Sequence, residues 1–223
     1  MQWNRKYNYP SSIRAILNGK RHYDLGSEKL PSVTTILDKT SDKTALIAWR
    51  KRVGEQEANR VSKESAGLGT KVHNAIEKYI LGETVEFGNN MVSVMAKDMS
   101  ELMINEGFTN INEVWGTEIG LIAPGLYAGT TDCVGVHNGE DAIIDFKTSK
   151  KIKKEEWIED YYLQCCAYAL AHNEMYGTDI KKGVILMVSR DVKLKEFVIE
   201  GARFEMYCDL WTQRLEEYYS KFG

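Results

Sequence analysis

The stretch Ala142-Ile143-Ile144-Asp145-Phe146-Lys147-Thr148 decides how this chain is read. An apolar run delivers an acid, and a lysine follows two positions later. Residues i and i+2 of a β-strand share a face. Asp145 and Lys147 are therefore expected to project together from the end of a buried strand, where a charge without a partner is expensive. Asp132 lies just upstream, closing Gly129-Thr130-Thr131-Asp132. Two carboxylates and an amine near one point can hold a divalent cation and steer a water.

Working outward, residues 114–123, 126–137 and 141–147 read as three strands. Pro124-Gly125 and Asn138-Gly139 mark the turns between them. Asp132 and Asp145 then fall on adjacent antiparallel strands, near one end of the sheet. Their mutual repulsion is relieved when a cation lies between them. Upstream, a hairpin is expected about Asn18-Gly19, followed by a short segment from Pro31-Ser32 to Leu37. Helices are expected over about 43–63, 69–81 and 90–105. Downstream, a basic loop leads into a helix over about 154–176, then a strand pair (183–190 and 193–199) and a closing helix over 203–221. The order predicts an α/β fold: a central mixed sheet flanked by helices, with an N-terminal helical elaboration. Residues 1–64 read as the hairpin and helical region, and 65–223 as the core.

The bulk numbers narrow the class. The 223 residues are 43% hydrophobic and 27% charged with a net charge of -3, ordinary values for a globular protein. A mildly negative total is compatible with acids at a metal site and a local basic groove. The four cysteines (Cys133, Cys165, Cys166, Cys208) have no zinc or cluster spacing and read as buried free thiols of a reducing compartment. No apolar run has transmembrane length, and no secretory signal is evident. A cytoplasmic protein with no membrane partner is expected. No Gly-x-x-x-x-Gly-Lys-Ser/Thr loop occurs, which argues against an ATP-driven motor and a nucleotide cofactor. There is no His-Glu-x-x-His motif and no Gly-x-Ser-x-Gly elbow.

Further candidates surround the acids. His73 sits early on a helix, in Gly69-Thr70-Lys71-Val72-His73, with Glu77 one turn later on the same face. Gln164 and Tyr168 share a helix face. Glu118, on the strand before Asp132, points either to the site or to solvent. Lys147, Lys150, Lys151, Lys153 and Lys154 form one basic run, and Trp49-Arg50-Lys51-Arg52 another. Cations bind phosphate without reading sequence, and an aromatic stacks on a base. Singly, each pattern also fits a surface salt bridge, a helix-end histidine, a packed pair or a solvated face.

Their order is more specific. Gly69-x-x-x-His73, Gly129-x-x-Asp132, Asp145-x-Lys147 and Gln164-x-x-x-Tyr168 together resemble the RecB-like branch of the PD-(D/E)XK nuclease superfamily. The nearest likeness is to the mitochondrial genome maintenance exonucleases and their phage and bacterial relatives. Leu126 to Val134, Ile144 to Ser149, Leu163 to Ala169 and the ending from Trp211 to Tyr218 carry it. It covers about residues 65 to 220, and the first sixty residues match only loosely. The resemblance implies a restriction-endonuclease-like core and metal-dependent phosphodiester hydrolysis with Mg2+ or Mn2+. It implies Asp132, Asp145, the Phe146 carbonyl and His73 as metal ligands, with Glu118 a weaker candidate, and Lys147 as the group that positions water. Gln164 and Tyr168 would support the site and the DNA backbone. Trp49 to Arg52 would line an arch for a single strand, with Lys150, Lys151 and Lys153 further along the DNA path. The expected activity is an exonuclease acting on single-stranded DNA ends. The alternatives are a non-catalytic nucleic-acid-binding module or another metal-dependent hydrolase. The short N-terminus leaves no room for a long presequence, so a phage or bacterial source is expected.

Overall fold

The computed structural model describes residues 1–9, 14–17, 20–24 and 29–222. Four short strands, β1 (Gln2–Trp3), β2 (Arg14–Leu17), β3 (Lys20–Asp24) and β4 (Lys29–Pro31), precede three long ones, β5 (Ile111–Ala123), β6 (Tyr127–His137) and β7 (Glu140–Ser149). β5 and β6 are antiparallel, as are β6 and β7. Helix α5 (Glu159–Tyr176) then carries the chain over one face, and β8 (Lys182–Ser189) pairs parallel with β7. β9 (Leu194–Glu200) returns antiparallel, and helix α6 (Gly201–Phe222) ends the chain. β1 adds parallel to β5, so the sheet order is β1-β5-β6-β7-β8-β9. This is the mixed sheet flanked by helices that the sequence predicts. β2, β3 and β4 make a separate antiparallel sheet. The pairing of β2 with β3 fits the expected hairpin, but its turn at residues 18–19 lies outside the described residues.

Each face of the main sheet buries one core. Ile143, Ile185, Met187 and Ile199 pack with Trp115, Trp211 and the apolar residues of α5. Ile144, Phe146, Val184 and Leu186 pack on the other side with Leu68, Val72, Ile76, Ala96 and Met99. Alternate residues of β7 thus serve opposite cores. α5 is buried nearly all round, as expected of a helix clamped between a sheet and other helices.

The helices before the sheet correct one expectation. α1 (Val33–Thr40) starts at Ser32, whose hydroxyl accepts the Thr35 N–H. α2 (Thr44–Val53) stops at Gly54, whose φ of 86° ends the helix. α3 is then one helix of 27 residues, Glu55–Leu81, running across residue 64 and through Gly67 and Gly69. A stop was expected at about residue 63, with a second helix after Gly69. The helix persists because its apolar stripe (Leu68, Val72, Ala75, Ile76, Ile80) is buried against the sheet and α4 (Met91–Leu102). Burial of that stripe outweighs about 1 kcal/mol per interior glycine. Gly69 also lets the helix approach β7 closely: a Cβ there would sit 3.3 Å from Thr148 Oγ1.

Candidate active site

β6 and β7 pair as far as Cys133 and Ile144. Beyond that point the ladder gives way to a side chain: Asp132 Oδ2 accepts the Phe146 N–H at 2.8 Å. A buried amide needs an acceptor, so this bond fixes Asp132 beside the end of β7. Asp145 and Lys147 share the other face of that strand, with Lys147 Nζ 2.5 Å from Asp145 Oδ2. Asp145 is fully buried: Lys147 is its ion-pair partner at Oδ2, and Oδ1 has no hydrogen-bond partner among the described residues. Lys147 also donates to Gln164 Oε1 at 3.1 Å, and Gln164 donates to Tyr168 OH at 3.4 Å. An ammonium has three donors, so one is left for a further acceptor. The Tyr161 ring, 4.9 Å away, flanks the same ammonium.

α3 brings His73 and β5 brings Glu118. His73 Nδ1 lies 3.5 Å from Asp132 Oδ1 and 4.0 Å from Glu118 Oε1. Ligand atoms of His73, Glu118 and Asp132 all lie within 4.8 Å of one another. Glu118 holds a positive φ of 50°, a backbone state that costs a non-glycine residue about 1–3 kcal/mol and clusters at functional sites. A cleft of about 540 Å³ opens over these residues, walled by His73, Glu118, Asp132, Lys147, Gln164 and Tyr168.

The charges of the cleft are strongly coupled. Burial pulls the His73 imidazolium down, but the charge and hydrogen bond of Asp132, with help from Glu118, hold it up at about 10. Burial pushes Asp132 up, yet His73, Lys147 and the Phe146 amide keep it below the usual carboxylate range. Burial pushes Asp145 up to about 6, with Lys147 opposing and Asp132 reinforcing. Burial opposes the charge on Lys147, but Asp145 and Asp132 hold its pKa above the ordinary lysine value. Glu77 is raised by burial and then by the charge of Glu118. The carboxylates therefore require positive charge between them. Two carboxylate oxygens and an imidazole nitrogen fit a divalent ion, which would hold His73 neutral.

Of the residues singled out in the sequence, the structure gathers His73, Glu118, Asp132, Lys147, Gln164 and Tyr168 at one cleft, with Asp145 beneath. The Phe146 ring turns away and stacks on Phe108 at 5.7 Å. Apart from Lys147, the residues of the two basic runs are not among those lining the cleft. Arg50 on α2 is held by Glu55 and Asn59, and Lys153 donates to Tyr161 OH at 2.6 Å. Lys150 and Lys151 sit in the loop after β7. Thr34, Thr70, Asn74 and Thr130 line the cleft and were not foreseen. Tyr161 was also missed, although 161, 164 and 168 share a helix face. Cys133, Cys165 and Cys166 are buried and Cys208 half-buried, all as free thiols.

The chain is similar in sequence to mitochondrial genome maintenance exonuclease 1. It is 25% identical to the human protein over 214 residues, covering 86% of this chain and 59% of the human one. The mouse protein is 28% identical over 226 residues, covering 91% and 65%. The chain thus spans about three fifths of the length of these relatives. No family model matches it. Among solved structures, a candidate exonuclease from Eubacterium rectale superposes with a TM-score of 0.48 at 10% identity, covering 69% of this chain and 65% of that one. The relationship to nucleases runs through sequence similarity along most of the chain. Among the described residues, no helix is long and apolar enough to cross a membrane.

Proposed function

We propose that this chain is a Mg2+- or Mn2+-dependent deoxyribonuclease that hydrolyses phosphodiester bonds at single-stranded DNA ends. The observation that carries the reading is the meeting of His73, Glu118 and Asp132 with the Asp145–Lys147 pair at one cleft. His73, Glu118 and Asp132 are the groups to hold the ion, with Asp145 and the Phe146 carbonyl as further ligands. Such an ion, when bound, polarises the phosphodiester and makes a water acidic enough to attack it. Lys147, fixed by Asp145 and Gln164, keeps one donor for a water or a phosphate oxygen and balances charge that develops there. Gln164 and Tyr168 keep that ammonium in place. α2 has no buried residues, which suits Trp49, Arg50, Lys51 and Arg52 to one wall of the DNA path. Lys150, Lys151 and Lys153 are assigned to backbone phosphates further along it.

The test is cleavage of end-labelled single-stranded and duplex DNA with magnesium or manganese, with and without chelator. Asp132→Asn and Lys147→Ala should abolish cutting while circular dichroism stays that of the wild type. If no DNA is cut with any divalent ion, the reading fails.

A further inference from the structure

A second cavity, of about 290 Å³, opens beside the cleft and shares Glu77 with it as a common wall. It lies at the edge of the main sheet, where β1 pairs with β5 and Asn4 N–H donates to Val114 O at 2.8 Å. Its walls are aromatic: Trp3, Tyr7, Tyr9 and Trp115. The rings pack on one another, Tyr7 edge-on to Trp115 with centroids 5.5 Å apart and tilted against Tyr9 at 6.0 Å. Tyr9 OH is tied to His172 Nε2 at 3.0 Å, so this wall is rigid. Two exposed cations accompany the rings. Arg5 lies 5.8 Å from the Trp3 ring, and Lys6 lies 4.0 Å from the Trp115 ring. The indole N–H of Trp115 is buried with no acceptor among the described residues.

The position matters as much as the composition. Thr117 lines this cavity, and the next residue, Glu118, belongs to the metal-binding cluster. Thr117 Oγ1 also donates to Asp132 O at 3.0 Å. One strand therefore presents an aromatic recess and a metal ligand side by side. Aromatic faces with cations at their rim are how proteins hold unpaired bases, by stacking the base and neutralising the phosphate next to it. A duplex keeps its bases stacked inside, so such a recess selects single strands. The volume lies at the small end of ligand pockets, about 300 Å³ upward, and suits one base.

We propose that the Trp3–Tyr7–Tyr9–Trp115 cavity binds one unpaired base of a single-stranded DNA whose neighbouring phosphate lies at the His73–Glu118–Asp132 cluster. This rests on the nuclease reading and adds the means of choosing single strands. Trp3 offers its face to the base, and Arg5 and Lys6 hold the flanking phosphates.

The probe is a short fluorescent oligothymidylate, bound with calcium in place of magnesium. An abasic site is moved along it one position at a time. Wild type should show one position at which loss of the base weakens binding about tenfold, within the range of one stacked base. Trp3→Ala should weaken binding of the intact strand by a similar factor and erase the sensitivity at that position. Trp3→Phe should restore it, separating lost stacking from lost fold. If all positions are equivalent in wild type, or Trp3→Ala keeps the same sensitive position, the inference is overturned. Failure of the nuclease reading looks different: intact oligothymidylate then survives with magnesium, whatever the abasic scan shows.

Discussion

Lys147→Met tests the Asp145–Lys147 pair most directly. Asp145 is fully buried, and Lys147 is the cation against it, 2.5 Å away. Removing the ammonium leaves a buried carboxylate that must stay ionised alone or take up a proton. Breaking a buried pair from one side costs about 3–5 kcal/mol, whereas replacing both partners with neutral groups is often near neutral. Asp145→Asn/Lys147→Met should therefore recover most of that loss, a coupling of about 2–4 kcal/mol. For a chain of this length 1 kcal/mol is about 2–4 °C in Tm, so Lys147→Met should melt at least about 6 °C lower. The pH dependence follows from linkage. The folded carboxyl of Asp145, at about 6, is raised above an unfolded value of about 3.9. Its folded form holds the proton more tightly, so stability is greatest at acid pH and falls as pH rises through that window. Without Lys147 the folded value rises further and the loss extends to higher pH. The Lys147→Met deficit should thus be small near about pH 5 and full near about pH 7.5. Urea unfolding of wild type, Asp145→Asn, Lys147→Met and the double variant in chelator, at both pH values, measures it. Single effects that add within about 0.5 kcal/mol, or a deficit equal at the two pH values, would refute the argument.

Four further outcomes are expected. Magnesium or manganese should stabilise wild type by about 2.7 kcal/mol at a hundredfold excess over Kd, read in calorimetry as a higher melting temperature, and His73→Ala should lose most of that shift. Gly129→Ala places a Cβ 2.6 Å from Tyr168 Cε1; it should cost about 1–3 kcal/mol and reduce cleavage by displacing the Gln164 partner, with Gly129→Ala/Tyr168→Leu recovering stability but not activity. Glu118→Gly relieves a φ of 50°, so thermal unfolding should show unchanged or higher stability while the metal-induced shift shrinks; lower stability with an intact metal response would count against a strained ligand. Burial, and then Lys6, pulls His172 down to about 4, so unfolded chains bind its proton first and stability should fall between about pH 6.5 and 4, by at most about 3 kcal/mol, with a shallower fall in His172→Phe.

Much of the fold was legible because its signals are local. Pro124-Gly125 and Asn138-Gly139 sit at the two turns of the β5-β6-β7 meander, and the apolar run before Asp145 is buried on both faces. The run of α3 was not legible. Gly67 and Gly69 look like breakers, whereas the actual break is Gly54, which carries the positive φ. A helix interior tolerates glycine when the faces around it are buried, and burial is a tertiary fact that the local sequence lacks.

The same distinction explains Glu118. Asp132, Asp145 and Lys147 could be placed by counting along paired strands, since the β6-β7 register is regular up to Cys133 and Ile144. Glu118 could not, because β5 has irregularities between Ile111 and Glu113 and between Val114 and Gly116. Ile111 and Val114, an odd number of residues apart, pack in the same core cluster, which strict alternation forbids. Each bulge inserts an extra residue and shifts the alternation beyond it, and Glu118 itself holds a φ of 50°. Simple alternation therefore does not place Glu118; the observed strand brings its carboxylate to 4.0 Å from His73 Nδ1. The sequence marks this place only by Gly116, over which Tyr9 packs so closely that a Cβ would meet its ring at 2.7 Å. The irregular strand that aims Glu118 at His73 and Asp132 is thus also the floor of the aromatic recess. The two sites are coupled by construction, and substitutions at Gly116 should disturb both together.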